Sequence, residues 1–173
     1  MKLLLELYRK KQKPIIHMVR IYKADGSNVD LCRKEAVEEG AKILIENNEG
    51  TEIARELLPN STVMLDSKAL LSGGIQSIIP NEVIIYKPRW GAFYNTPLEG
   101  YLKKRGINTI IFTGCNYPNC PRTSIYEASE RDFRIVLVKN AVSGLYKKAI
   151  EEMKNIGVSV LTVSEIIQEI DAL

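Results

Sequence analysis

Five short apolar, β-branched runs recur along the chain, at residues 14–20 (PIIHMVR), 82–86 (EVIIY), 109–113 (TIIFT), 134–138 (RIVLV) and 158–163 (VSVLTV). They read as continuous apolar blocks rather than alternating ones, the pattern of strands buried on both faces. Helix-compatible amphipathic stretches lie between and around them, at residues 2–11, 31–47, 97–105, 121–131, 145–156 and 164–170. Several carry their own punctuation. Thr96 is a good N-cap with Pro97 at the first helical position, Gly106 stops that helix, and Gly157 stops the one before the last strand. The stretch 31–47 carries a stripe through Ala36, Ile43 and Leu44, while 51–80 is less regular, with turns at Gly73-Gly74 and Pro80. Strand and helix alternating in short units predict an α/β fold, a three-layer α/β/α sandwich on a mainly parallel, Rossmann-like sheet.

Composition narrows the partners. The 173 residues suit one domain with one core, 1–173. Charges of both signs are mixed along helices, as in Lys147, Lys148, Glu151, Glu152 and Lys154, and the net charge is only +3. That is a solvated helix face and not a nucleic-acid surface. No apolar run approaches the roughly 20 residues that span a bilayer, and residues 1–13 lack the apolar block of a secretory signal. The three cysteines, Cys32, Cys115 and Cys120, are an odd number in a chain with ample core. A reducing, cytoplasmic setting without disulfides is expected, and His17, the sole histidine, leaves little room for metal chemistry.

In open α/β sheets, ligands bind beyond the carboxyl ends of the strands, and three segments leave strands there with unusual chemistry. The first is GCNYPNCPRT, residues 114–123, joining a buried strand to a helix that Pro121 helps to start. Cys120 then stands where unpaired N–H groups and the positive end of the helix dipole favour a thiolate. The same N–H groups could hold an oxyanion, although a buried, inert cysteine is the commoner fate of such a residue. Cys115, at the strand end, reads as structural. Two rival chemistries fail on spacing: a Cys-x5-Arg phosphatase loop would put arginine at Pro121 or Tyr126, and the two cysteines are separated by four residues, where a Cys-x-x-Cys motif has two.

The second segment is YKPRWGAFYNT, residues 86–96. A lysine leaving a buried strand ahead of three aromatics could polarise a substrate above an apolar wall; a snorkelling lysine beside core aromatics is the plainer alternative. The third, residues 20–30, holds the turn chemistry Asp25-Gly26-Ser27-Asn28 and makes a plausible pocket rim. His17, inside its strand, reads as a satisfied core histidine.

Taken together, the segments YKPRWGAFYNTPLEGYLKKRGINTIIFTG and GCNYPNCPRTSIYEASERDFRIVLVKNAVSG resemble the isochorismatase-like cysteine hydrolases, among them N-carbamoylsarcosine amidohydrolases and nicotinamidases. The resemblance runs from about Lys2 to the end of the chain. It implies Cys120 as nucleophile, Lys87 as catalytic lysine, a cis peptide at Cys115–Asn116, and the N–H groups of Asn116 and Cys120 as oxyanion donors. Arg89, Trp90, Phe93 and Tyr117 are expected to line the substrate site. The implied reaction is hydrolysis of a small amide or related C–N bond through a Cys thioester. No cofactor and no metal are expected, since the metal-binding relatives use an aspartate and histidines that this chain lacks.

One family element has no counterpart. The resemblance implies a general-base aspartate on a strand preceding residues 2–11, and no acidic residue here matches it. The family's sheet order, 3-2-1-4-5-6, puts that strand in the middle. A hole of roughly 10 Å is therefore expected between residues 14–20 and 109–113. A natural chain that begins further upstream, a sheet closed on itself or by a partner chain, and a degenerate homologue are the three explanations. For these 173 residues, impaired or absent turnover is expected, and a homo-oligomer. A non-catalytic small-molecule-binding or interaction protein of the same fold is the alternative.

Overall fold

The computed structural model describes residues 1–172. The chain folds as a mixed α/β protein: α1 (Lys2–Lys10), β1 (Ile15–Val19), α2 (Leu31–Glu38), α3 (Ser67–Leu71), β2 (Ile75–Ile79), β3 (Glu82–Tyr86), α4 (Leu98–Lys104), β4 (Thr109–Gly114), α5 (Cys120–Ser129), β5 (Arg134–Val142), α6 (Lys147–Asn155), β6 (Ser159–Leu161) and α7 (Val163–Asp171). The strands form two three-stranded sheets, β1-β3-β2 and β4-β5-β6. Every pairing is parallel except β2–β3. The backbone falls into two compact units. One holds Met1–Lys11, Trp90–Phe93 and the chain from Leu98 onward; the other holds Gln12–Arg89 and Tyr94–Pro97.

In the first unit β5 is the central strand, and strand alternation sends its side chains to opposite faces. Val138 is buried with Leu4 of α1 and Val163 and Ile166 of α7, and Ile111, Val136 and Leu161 pack against the same cluster. Ile135 and Leu137 turn the other way and are equally buried, and α5 packs against β4 and β5. α7 starts on a capping box, in which Thr162 and Glu165 satisfy each other's backbone N–H groups. An ion pair of 3.0 Å, Lys11 to Asp171, ties the end of α1 to α7.

In the second unit β3 is central and its residues from Glu82 to Ile85 are all buried. Val19, Ile21, Leu65, Leu70 and Ile84 make its core. His17 sits inside β1 with its Nε2 2.7 Å from Oε1 of Glu82, the satisfied core histidine expected.

Two readings of the sequence need correction here. The helix expected over 31–47 ends at Glu38. Gly40, at φ +98°, adopts the left-handed conformation that terminates helices, with Gly40 N–H on Val37 O and Ala41 N–H on Ala36 O. Beyond it the chain extends, and Tyr22 pairs with the 44–46 segment through two backbone hydrogen bonds. The stripe through Ala36, Ile43 and Leu44 is therefore not a helix face, and α2 buries no residue at all. The irregular stretch 51–80 also holds more structure than its composition suggests. α3 starts at an N-cap, Asp66, which accepts from Ala69 N–H, and β2 forms a hairpin with β3 around Asn81 at φ +66°.

Among the described residues β1 pairs with β3 alone, β4 pairs with β5 alone, and each ends its own sheet.

Candidate functional site

β4 ends at Gly114, whose φ of +123° only glycine adopts readily, and the chain turns there into the segment carrying both cysteines. The Cys115–Asn116 peptide is cis. The turn is laced to the end of β5: Ser143 N–H donates to Gly114 O (3.0 Å), Tyr117 N–H to Ser143 O (2.7 Å), and the Ser143 hydroxyl to Asn116 Oδ1 (2.6 Å). Asn119 N–H then closes on Asn116 O, and α5 begins at Cys120 with Pro121 in its first turn. Cys120 is half-buried, whereas Cys115 and Cys32 are exposed. The N–H groups of Asn116 and Cys120 donate no hydrogen bond among the described residues. Cys120 thus opens a helix, where unpaired N–H groups and the positive end of the dipole favour a thiolate.

Tyr117, fully buried, meets Tyr146 edge-on with ring centroids 5.8 Å apart. Burial, the first cause, raises its phenol to about 12 despite the opposing charge of Arg122. Trp90 is half-buried. Phe93 is buried against Phe133, centroids 5.7 Å apart, and the Arg131 guanidinium lies 5.0 Å from its ring centroid.

Lys87 and Arg89 belong to the other unit. Lys87 leaves β3 only 4% exposed, which for a lysine demands partners; its Nζ donates to Arg89 O at 3.2 Å. Arg89 is exposed, donates to Pro88 O, and places its Nε 3.8 Å from Asp30 Oδ1. Asp30 is buried and receives both the Tyr22 hydroxyl and the Arg20 guanidinium on Oδ2, each at 2.5 Å. This network was read from sequence as a loop rim only.

Side chains on α5 were missed altogether. Ser124 and Glu127 follow Cys120 by four and seven residues, the spacing of one helix face, and both bind the backbone of the 91–93 segment. As for a metal, no three His, Cys, Asp or Glu side chains gather among the described residues, and His17 is engaged by Glu82. The residues present do not fit a metal site of the aspartate-and-histidine kind. Nor is any described helix long and apolar enough to cross a membrane.

Known proteins agree with this architecture. A solved isochorismatase family protein of Desulfovibrio vulgaris superposes with a TM-score of 0.80 at 25% identity, over 98% of this chain and 82% of that one. A ureidoacrylate amidohydrolase (RutB) of Methylorubrum extorquens is 32% identical over 73 residues; the match takes in 42% of this chain and only 29% of that protein's length. An Arabidopsis thaliana protein named a probable inactive nicotinamidase is 25% identical over 171 residues, 95% of this chain and 78% of its own. The isochorismatase domain model matches residues 1–165, and the chain belongs to that family.

Proposed function

We propose that the chain is a cysteine hydrolase acting on a small amide or related C–N bond. The observation that carries the reading is Cys120 as first residue of α5, flanked by the unpartnered N–H groups of Asn116 and Cys120 itself. The Cys120 thiolate attacks the carbonyl carbon, and the tetrahedral oxyanion is held by those two N–H groups. The C–N bond then breaks, and the nitrogen leaves as ammonia or an amine, taking the thiol's proton. Water hydrolyses the thioester to the acid and restores the thiol. In this reading Trp90, Phe93 and Tyr117, which share a compact unit with Cys120, bound the apolar part of the substrate.

The Arabidopsis relative, named a probable inactive nicotinamidase, supports a second reading: a small-molecule-binding protein that keeps the fold without turnover. Site-resolved alkylation separates the two. Iodoacetamide at neutral pH, followed by peptide mass spectrometry, should label Cys120 several-fold faster than the more exposed Cys32, and Cys120→Ala should abolish ammonia release from a panel of small amides. A Cys120 rate no greater than that of Cys32, with no amide turned over, would overturn the enzyme reading.

A further inference from the structure

The face of α5 that follows Cys120 holds the Trp90–Phe93 segment by the backbone N–H groups of two consecutive residues, Ala92 and Phe93. The Ser124 hydroxyl, 4% exposed as a residue, donates to Cys120 O at 2.7 Å and accepts the Ala92 N–H at 3.0 Å. One hydroxyl therefore joins the carbonyl of the proposed nucleophile to the neighbouring strap. The Glu127 carboxylate accepts the Phe93 N–H at 2.8 Å. At Gly91 the same carboxylate lies so close that a Cβ would fall 2.2 Å from Oε1 and 2.3 Å from Oε2, well inside van der Waals contact. Gly91 has no positive φ to explain it. A Cβ there would push the Glu127 carboxylate aside, away from the Phe93 N–H it accepts. Arg131, one turn further on, donates to Glu127 O at 2.8 Å and to Glu99 Oε2 at 2.9 Å.

From this geometry we infer that Ser124 and Glu127 are positioning residues, which clamp the Trp90–Phe93 strap onto the nucleophile helix and so fix the apolar wall presented to substrate. The inference rests on the reading of Cys120 as nucleophile. Ser124 meets Cys120 at its backbone carbonyl, and Glu127 meets the strap rather than the nucleophile residue. Their effect is on what the strap recognises, so discrimination between ligands should change while the intrinsic reactivity of the thiol does not.

Trp90 is the only tryptophan and reports on the strap directly. The comparison is Glu127→Gln, Gly91→Ala and Ser124→Ala against the conservative Ser124→Thr, which keeps the hydroxyl. Labelling of Cys120 is followed by peptide mass with iodoacetamide and with its N-phenyl analogue, iodoacetanilide. The clamp predicts that Gly91→Ala and Glu127→Gln lower the iodoacetanilide-to-iodoacetamide rate ratio on the order of tenfold, a smaller loss than the roughly hundredfold a 1 Å misplacement can cause. The iodoacetamide rate itself should stay within about twofold, Trp90 should become more open to acrylamide quenching, and Ser124→Thr should restore what Ser124→Ala loses. Variants that melt earlier yet keep the rate ratio and the quenching of the parent would overturn the clamp. If the parent Cys120 proves no more reactive than Cys32, the hydrolase reading fails, and acrylamide quenching of Trp90 still decides whether the strap is clamped.

Discussion

Asp30 shows what a single residue hides from a sequence. Its neighbours Asp25, Ser27 and Asn28 were legible as turn chemistry because each makes a local backbone bond: Asp25 Oδ1 accepts Ser27 N–H two residues on, and Asn28 Oδ1 accepts Lys23 N–H. Asp30 instead meets Arg20 ten residues away, a partner that only the tertiary fold supplies. Burial alone would raise its carboxyl; hydrogen bonds from Tyr22 and Arg20, with the charges of Arg20 and Arg89, outweigh that and hold it below its ordinary value of 3.8. The sign follows from linkage. A depressed folded value means the stabilisation is complete above the ordinary carboxylate range and is lost as pH falls through the folded value. Asp30→Asn should therefore destabilise the protein by about 3 kcal/mol at neutral pH, because it leaves the Arg20 guanidinium buried without its counter-charge. Thermal melts should show the difference from the parent shrinking as the pH is taken below the ordinary carboxylate value. A difference that stays constant with pH would mean that the Asp30 charge contributes nothing.

Elements were read best where their ends announce themselves in neighbouring residues and worst where two signals compete. The stop at Gly106 and the start near Pro97 were legible, and α4 runs Leu98–Lys104 between them. At 31–47 the apolar spacing argued for continuation, while Gly40 inside it argued for an end, and the glycine won. No atom lies within 4 Å of a Cβ placed on Gly40, so Gly40→Ala meets only the backbone cost of left-handed φ, about 1–2 kcal/mol by urea unfolding. The same change at Gly91 meets Glu127 instead, and the two glycines make a matched pair of backbone and contact effects. The sheets carry a second prediction. β3 and β5 are paired on both sides, β1 and β4 on one. Amide hydrogen exchange should leave β5 the most protected strand of its sheet, with alternate β4 amides, those facing away from β5, exchanging much faster. Uniform protection along β4 would show that its second edge is covered in solution.

For the molecule as a whole, the fold class was legible because buried parallel strands and their crossover helices write long, repeated patterns, and the family because its motifs at Lys87 and Cys120 fall in order along the chain. Tertiary contacts such as Glu127 with Phe93 write no pattern of their own; only the helix-face spacing of Cys120, Ser124 and Glu127 hinted at them. How the two compact units cooperate is a property of the whole chain that neither pattern addresses. The sequence length argues for one domain, and one domain unfolds as one cooperative transition. Trp90 and Asp30 allow a test, because Trp90 belongs to one unit and Asp30 to the other. In urea, Asp30→Asn should shift the midpoint read by Trp90 fluorescence and the midpoint read by far-ultraviolet circular dichroism together, by the same amount. If the Trp90 midpoint stays at the parent value while part of the circular dichroism signal is lost earlier, the units unfold independently and the chain is two domains in the thermodynamic sense. The Asp30 change would then lower the stability of its own unit alone, and the first unit, with Cys120 and its clamp, would keep the parent's Trp90 quenching and the parent's ratio of alkylation rates.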